Sequence, residues 1–236
     1  MAHKPKTVII GGSSGMGLAS AQKLYSLGHD IVIASRSKDK LEKAVKIIGK
    51  AESHVLDVTK EKEVIQFFNS LGPFDHLVTS AAEFIMGSFL KMPLSQAKHF
   101  FDSKFWGQYT VAKYGAPHIR EGGSITFFCG SAGQKPFMYF SAGSAINAAL
   151  EGLTRALALE LSPLRVNAIA PGTVITPVWD TIPEQSRIAE FQEMAKKLPV
   201  KKVGKPEDIA HAVVYLIECG YATGSVVHVD GGGLVI

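Results

Sequence analysis

Short β-branched apolar runs recur along the chain, separated by longer stretches with helical spacing. The runs are TVII at 7–10, DIVIA at 30–34, HVL at 53–55, DHLVT at 75–79, SITFF at 124–128, RVNAIA at 165–170 and SVVHV at 225–229. Most are continuously apolar rather than alternating, the pattern of strands covered on both faces, and the segments between them are long enough for crossover helices. Strands alternating with helices in this way predict an α/β fold built on a doubly wound parallel sheet. No internal repeat, low-complexity tract or linker divides the chain, so residues 1–236 read as a single domain.

Two helical segments carry more specific patterns. After residue 141, Ile146, Leu150, Leu153, Leu157 and Leu161 form a core stripe, while Ala145, Ala149, Gly152 and Ala156 make a second face of small side chains. That face suits close approach of another helix, in the same subunit or in a second one. The stretch at about 175–203 holds Val178, Trp179, Ile182, Ile188, Phe191 and Met194, an apolar inner surface for covering a substrate that Phe137 and Met138 would complete. An apolar or mixed small molecule therefore fits better than a small, highly charged one.

Composition narrows the class without naming an activity. With 46% hydrophobic and 19% charged residues, a chain of this length buries enough surface to fold without disulfides or metal. The net charge of +4 is mild and the lysines are dispersed, which describes solvated surface rather than a nucleic-acid footprint. Cys129 and Cys219 match no ligand spacing and read as structural thiols in a reducing compartment, the cytoplasm. The start shows no secretory h-region, and no apolar run is long enough to span a membrane. The eight histidines form no ligand cluster, so no metal site is expected.

The first strand runs into GGSSGMG, Gly11 to Gly17, followed by a helical pattern that stops at Gly28. Glycines between a strand and a helix N-terminus let the backbone approach a pyrophosphate, whose charge the unpaired N–H groups and the helix dipole favour. Gly11, Ser13, Ser14, Gly15, Met16 and Gly17 are the expected cradle. After the second strand, where an NAD site places an acid for the ribose 2′-OH, this chain has Ser35 and Arg36. A guanidinium fork suits a 2′-phosphate, so NADP(H) is preferred over NAD(H).

These residues, with LDVT at 56–59, LEGLTRALALEL at 150–161, RVNAIAPGTVITP at 165–177 and GKPEDIA at 204–210 followed by VVHVDGG at 226–232, resemble the short-chain dehydrogenase/reductase family. The resemblance spans about residues 7–232. It implies a Rossmann-type, seven-stranded domain that binds a nicotinamide dinucleotide and assembles as a homodimer or homotetramer. It further implies that Asp57 and Val58 flank the adenine, that Ser80, Ala81 and Ala82 line the cofactor, and that Pro171 to Thr176, Gly172 among them, hold the carboxamide, with Val174 offering its backbone.

The departures from the family pattern bear on chemistry. The Thr that usually precedes the glycine loop is Ile10, and the usual Asn-Asn-Ala-Gly after the fourth strand reads Thr79-Ser80-Ala81-Ala82. The family acts through a Tyr and a Lys four residues apart, a Ser thirteen residues before the Tyr, and an Asn on the preceding helix. Register from Ala149 to Leu153 puts Gly143 at the Tyr and Asn147 at the Lys; CGSAG at 129–133 then puts Gly130 at the Ser, and FWGQY puts Lys104 at the Asn. All four are replaced, yet Lys and Asn have exchanged places between two helices. The expectation is an NADP(H)-dependent oxidoreductase acting on a carbonyl, alcohol or enone, with Lys104 and Asn147 in the catalytic site and Asn147 also near the cofactor. The alternative is a cofactor-binding protein without catalysis. Tyr139, Ser131 and Cys129 are weaker candidates: a helical Tyr139 would point away from the vacancy, and Ser131 on a strand would face the wrong side.

Overall fold

In the computed structural model the described residues are 4–81 and 83–236, so Ala82 lies outside them. Seven parallel strands form one sheet in the order β3-β2-β1-β4-β5-β6-β7. They are β1 (Lys6–Ile10), β2 (Asp30–Ser35), β3 (Glu52–Val55), β4 (Phe74–Thr79), β5 (Ile119–Phe128), β6 (Arg165–Pro171) and β7 (Val226–Val229). The sheet is the Rossmann-type fold expected from the alternation of strands and helices.

The continuous apolar runs have a simple cause. Val8 and Ile10 of β1 enter one core while Ile9 enters the other, and Leu77 and Val78 of β4 divide in the same way. One core lies under α3 (Glu61–Leu71), α4 (Leu94–Phe101), α5 (Gly107–Gly115) and α6 (Ser141–Glu160); the other lies under α1 (Gly15–Ser26), α2 (Lys38–Ile48) and α8 (Pro206–Glu218). Helix α7 (Glu184–Lys197) stands apart from both and buries no residue fully. Strand order reverses between β1 and β4, and the loops leaving their carboxyl ends diverge there into a crevice.

One strand starts earlier than its apolar run. β5 begins at Ile119, paired with Phe74, and its register with β4 shifts before His76 pairs with Ser124. Gly122 takes φ +80°, and a Cβ on Gly123 would lie 2.2 Å from the Asp75 carbonyl oxygen. The glycine pair that looks like a turn is an irregularity inside a longer strand.

In α6, Ile146 and Leu150 are fully buried, with Leu153, Leu157 and Leu161 packed at the margin of the core. Ala145, Gly152 and Ala156 face outward, and no atom lies within 4 Å of a Cβ built on Gly152. Among the described residues no helix is long and apolar enough to cross a membrane, and no group of three or more His, Cys, Asp or Glu could hold a metal ion.

Candidate active site

A cleft of about 410 Å³ opens at the crevice. Gly11, Ser13, Ser14, Gly15, Met16, Gly17, Ser35, Arg36, Asp57, Val58, Ser80, Ala81 and Thr176 line it, and so does Lys104. Asn147, Pro171, Gly172 and Val174 do not line it, although Asn147 reaches it through Lys104. Val174 differs from expectation in one respect: its carbonyl already accepts the Trp179 indole N–H at 2.9 Å.

The glycine loop fits a dinucleotide phosphate on structural grounds. Ser14 precedes α1 in extended conformation and its side chain makes no capping bond, so the first-turn N–H groups stay free for an anion; no acidic side chain occupies that turn. The loop lies so close to the β4 exit that side chains would not fit. A Cβ on Gly11, at φ +90°, would be 2.5 Å from the Ala81 nitrogen, and one on Gly17 would be 2.3 Å from the Gly11 carbonyl oxygen. Ser80 holds the two loops together: its N–H and hydroxyl both donate to the Ile10 carbonyl, at 2.8 and 3.2 Å.

At the β2 end of the cleft, the Ser35 hydroxyl is buried with no hydrogen-bond partner among the described residues. Arg36 reaches Glu83 at 2.6 Å, and Ser37 and Lys40 line the same wall. Burial disfavours ionisation of Asp57, but bonds from the Thr59 hydroxyl and N–H, at 2.8 and 3.0 Å, outweigh it and hold the carboxyl below its ordinary range.

The chemical end is built by three elements. Between α4 and α5 the chain makes a turn of π-helix, Asp102–Trp106, closed by the Gly107 N–H on the Asp102 carbonyl. This turn carries Lys104. Its ammonium donates to Asn147 Oδ1 at 2.7 Å and to the Cys129 carbonyl at 3.3 Å, leaving a third N–H. The exchanged residues of the two helices therefore meet. Burial pushes the Lys104 pKa down to about 8.

Gln108, which sequence reasoning missed, anchors the π turn to the sheet. Its Oε1 accepts from the Thr79 hydroxyl at 2.6 Å and the Phe128 N–H at 3.0 Å; its amide donates to the carbonyls of Phe128 and Lys104, at 3.0 and 3.2 Å. A buried glutamine that satisfies both strand ends is a tertiary device with no local signature.

Two of the other replaced positions are explained by packing. A Cβ on Gly130 would lie 2.8 Å from Asn147 Nδ2, so Gly130 makes room for the amide. A Cβ on Gly143 would lie 2.2 Å from the Phe140 ring, which is buried in the space beside it and stacks on Phe137 at 4.7 Å. Tyr139 is neither helical nor inward: it has φ +66° and is exposed. Ser131 has left the strand and opens a short 3₁₀ turn. Burial pushes the Cys129 thiol up to about 11, and it donates to the Ile169 carbonyl, which leaves it a packing residue.

The apolar cover is narrower than the sequence suggested. Phe84, which lines the cleft, contacts Phe140 at 4.9 Å and Trp179 at 5.2 Å, and Phe191 meets Trp179 edge-on at 5.9 Å. Ile188, on a helix that buries no residue, and Phe137 and Met138, in the loop before α6, are instead exposed.

Comparison with known proteins matches this geometry. The family model described as Enoyl-(Acyl carrier protein) reductase matches residues 11–233. The short-chain dehydrogenase/reductase ATR9 of Stachybotrys chlorohalonatus is 33% identical, covering 97% of this chain and 96% of its own. A solved small-chain dehydrogenase in complex with NADPH superposes with a TM-score of 0.88 at 36% identity, covering 99% of this chain and 100% of that one. The MalC reductase/Diels-Alderase of Malbranchea aurantiaca gives a TM-score of 0.92 at 27% identity, with 99% and 98% covered. With a glycine cradle, a nicotinamide-dinucleotide crevice and these relatives along its length, the chain belongs to the short-chain dehydrogenase/reductase family and is an oxidoreductase.

Proposed function

We propose that this oxidoreductase uses NADP(H) and a rearranged site in which Lys104 and Asn147 replace the usual catalytic side chains. The observation that carries the reading is the Lys104 ammonium, bonded to Asn147 at 2.7 Å on the wall of the cleft that the glycine loop also lines. The nicotinamide supplies or accepts hydride when bound. Lys104 supplies the polar half of the reaction: its remaining N–H points a proton at a carbonyl oxygen, and a pKa near 8 keeps that proton transferable at neutral pH. Asn147 holds the ammonium in place without neutralising it. Arg36, Ser35 and Lys40 favour a 2′-phosphate, and the NADPH complex of the similar small-chain dehydrogenase supports that preference.

The substrate is a small apolar or mixed carbonyl compound or enone, held against Phe84 and Trp179. The exposed Trp106 at the end of the π turn, Tyr109 on α5, and Leu159, Ala145, Gly152 and Ala156 on α6 offer surface for a homodimer or homotetramer. The free thiols of Cys129 and Cys219 support a reducing, cytoplasmic setting.

The test is NADPH oxidation with a panel of ketones and enones. Lys104→Met is expected to lower kcat by roughly 10²- to 10⁴-fold, the usual contribution of a positioned acid, with NADPH binding kept. Equal rates in the two proteins would remove Lys104 from the mechanism.

A further inference from the structure

Glu83 belongs to no motif of the sequence, yet it sits at the adenosine end of the cleft with both carboxylate oxygens engaged. Oε1 accepts from Arg36 at 2.6 Å and Oε2 meets His99 Nε2 at 2.8 Å. Arg36 follows β2 and Glu83 follows β4, with β1 between them in the sheet. Strands lie roughly 4.8 Å apart, so this ion pair reaches across about 10 Å, over the end of β1 where the glycine loop begins. Both residues line the cleft. The pair is therefore a bridge over the place where the adenosine ribose belongs.

We infer that Glu83 is a cofactor-specificity residue that competes with the 2′-phosphate for Arg36. Arg36 already gives its Nη1 to Glu83, so a 2′-phosphate that grips the guanidinium through Nη1 draws it away from Glu83, and one held by the remaining N–H groups meets a cation the carboxylate has partly neutralised. The carboxylate stays behind, because His99 of α4 still holds its other oxygen. It then faces the phosphate as a like charge. Before the phosphate arrives, burial disfavours ionisation of Glu83 but bonds from Arg36 and His99 outweigh it and hold the carboxyl below its ordinary range, so the group the phosphate approaches is a carboxylate.

A cofactor with a free 2′-hydroxyl meets neither cost, since the Arg36–Glu83 bond need not break and the hydroxyl can donate to the carboxylate. Glu83 thus weakens NADPH selectively and narrows the preference that Arg36 creates. Lys40 and Ser37 on the same wall keep the site cationic enough for NADPH to remain favoured.

This inference rests on the NADP(H) reading, and direct binding separates the two. NADPH and NADH are titrated by fluorescence or calorimetry into wild type, Glu83→Gln, Glu83→Ala and Arg36→Leu. Both Glu83 variants are expected to tighten NADPH about fivefold, the scale of one partly exposed ion pair, while NADH moves less than about twofold. Arg36→Leu is expected to weaken NADPH alone. If wild type prefers NADPH but the Glu83 variants leave the NADPH to NADH ratio unchanged or lower it, the role of Glu83 is overturned and the cofactor reading stands. If wild type binds both alike and Arg36→Leu changes neither, both fall.

Discussion

The two ends of the cleft are built by different means. At the phosphate end the work is done by backbone: free N–H groups at the α1 start, and glycines where a Cβ would lie 2.3–2.5 Å from neighbouring backbone atoms. At the chemical end it is done by side chains from the π turn, the β5 exit and α6, which meet at Lys104, Gly130, Gly143 and Asn147. A backbone site has few solutions, because only glycine fits and only a helix start offers that many donors. A side-chain site can be reassigned whenever neighbouring volumes change together. Here Gly130 yields space to Asn147, and Phe140 occupies the space beside Gly143.

The sharpest way to break the phosphate end is Gly17→Val. A Cβ there already lies 2.3 Å from the Gly11 carbonyl oxygen and 2.5 Å from Ser80 Oγ, so the loop must move off the helix start. NADPH binding is expected to weaken by at least about 100-fold, with the circular-dichroism spectrum unchanged. A change below about threefold would mean that the loop tolerates a side chain and that the cradle is not built as described.

The chemical end is expected to respond to volume. Gly143→Tyr alone should lower stability by about 1–3 kcal/mol, because the ring of Phe140 occupies the space. Paired with Phe140→Ala, the new ring has somewhere to go, and most of the loss should be recovered in thermal melts. If Gly143→Tyr melts like wild type, Phe140 does not block that position.

How much of this the sequence reveals follows the same division. The seven strands and the glycine loop between β1 and α1 are legible, because apolar runs reflect burial on both faces and glycines report backbone constraints at their own positions. β5 was read short, since Gly122 and Gly123 look like a turn and only pairing with β4 shows otherwise. Lys104 and Asn147 were found by register, but their 2.7 Å contact needs the π turn, which no local pattern announces. Gln108, Phe140 and Glu83 were missed for one reason: each acts on a partner from a different element, at a separation that periodicity does not sample. Hydrophobicity alone puts Phe137, Met138 and Ile188 inward, but the first two lie in a loop and the third on a helix that buries no residue, and all three are exposed.

The reassigned lysine is most directly tested by the pH dependence of kcat/KM for NADPH-driven reduction in wild type and Lys104→Met. Burial sets the folded pKa of Lys104 at about 8, so the donating ammonium is present below that value and lost above it. Wild-type kcat/KM is expected to fall about tenfold per pH unit beyond a break near pH 8, and Lys104→Met to be slow with that break absent. A wild-type profile that stays level to pH 10, or an identical break in Lys104→Met, would contradict proton donation by Lys104.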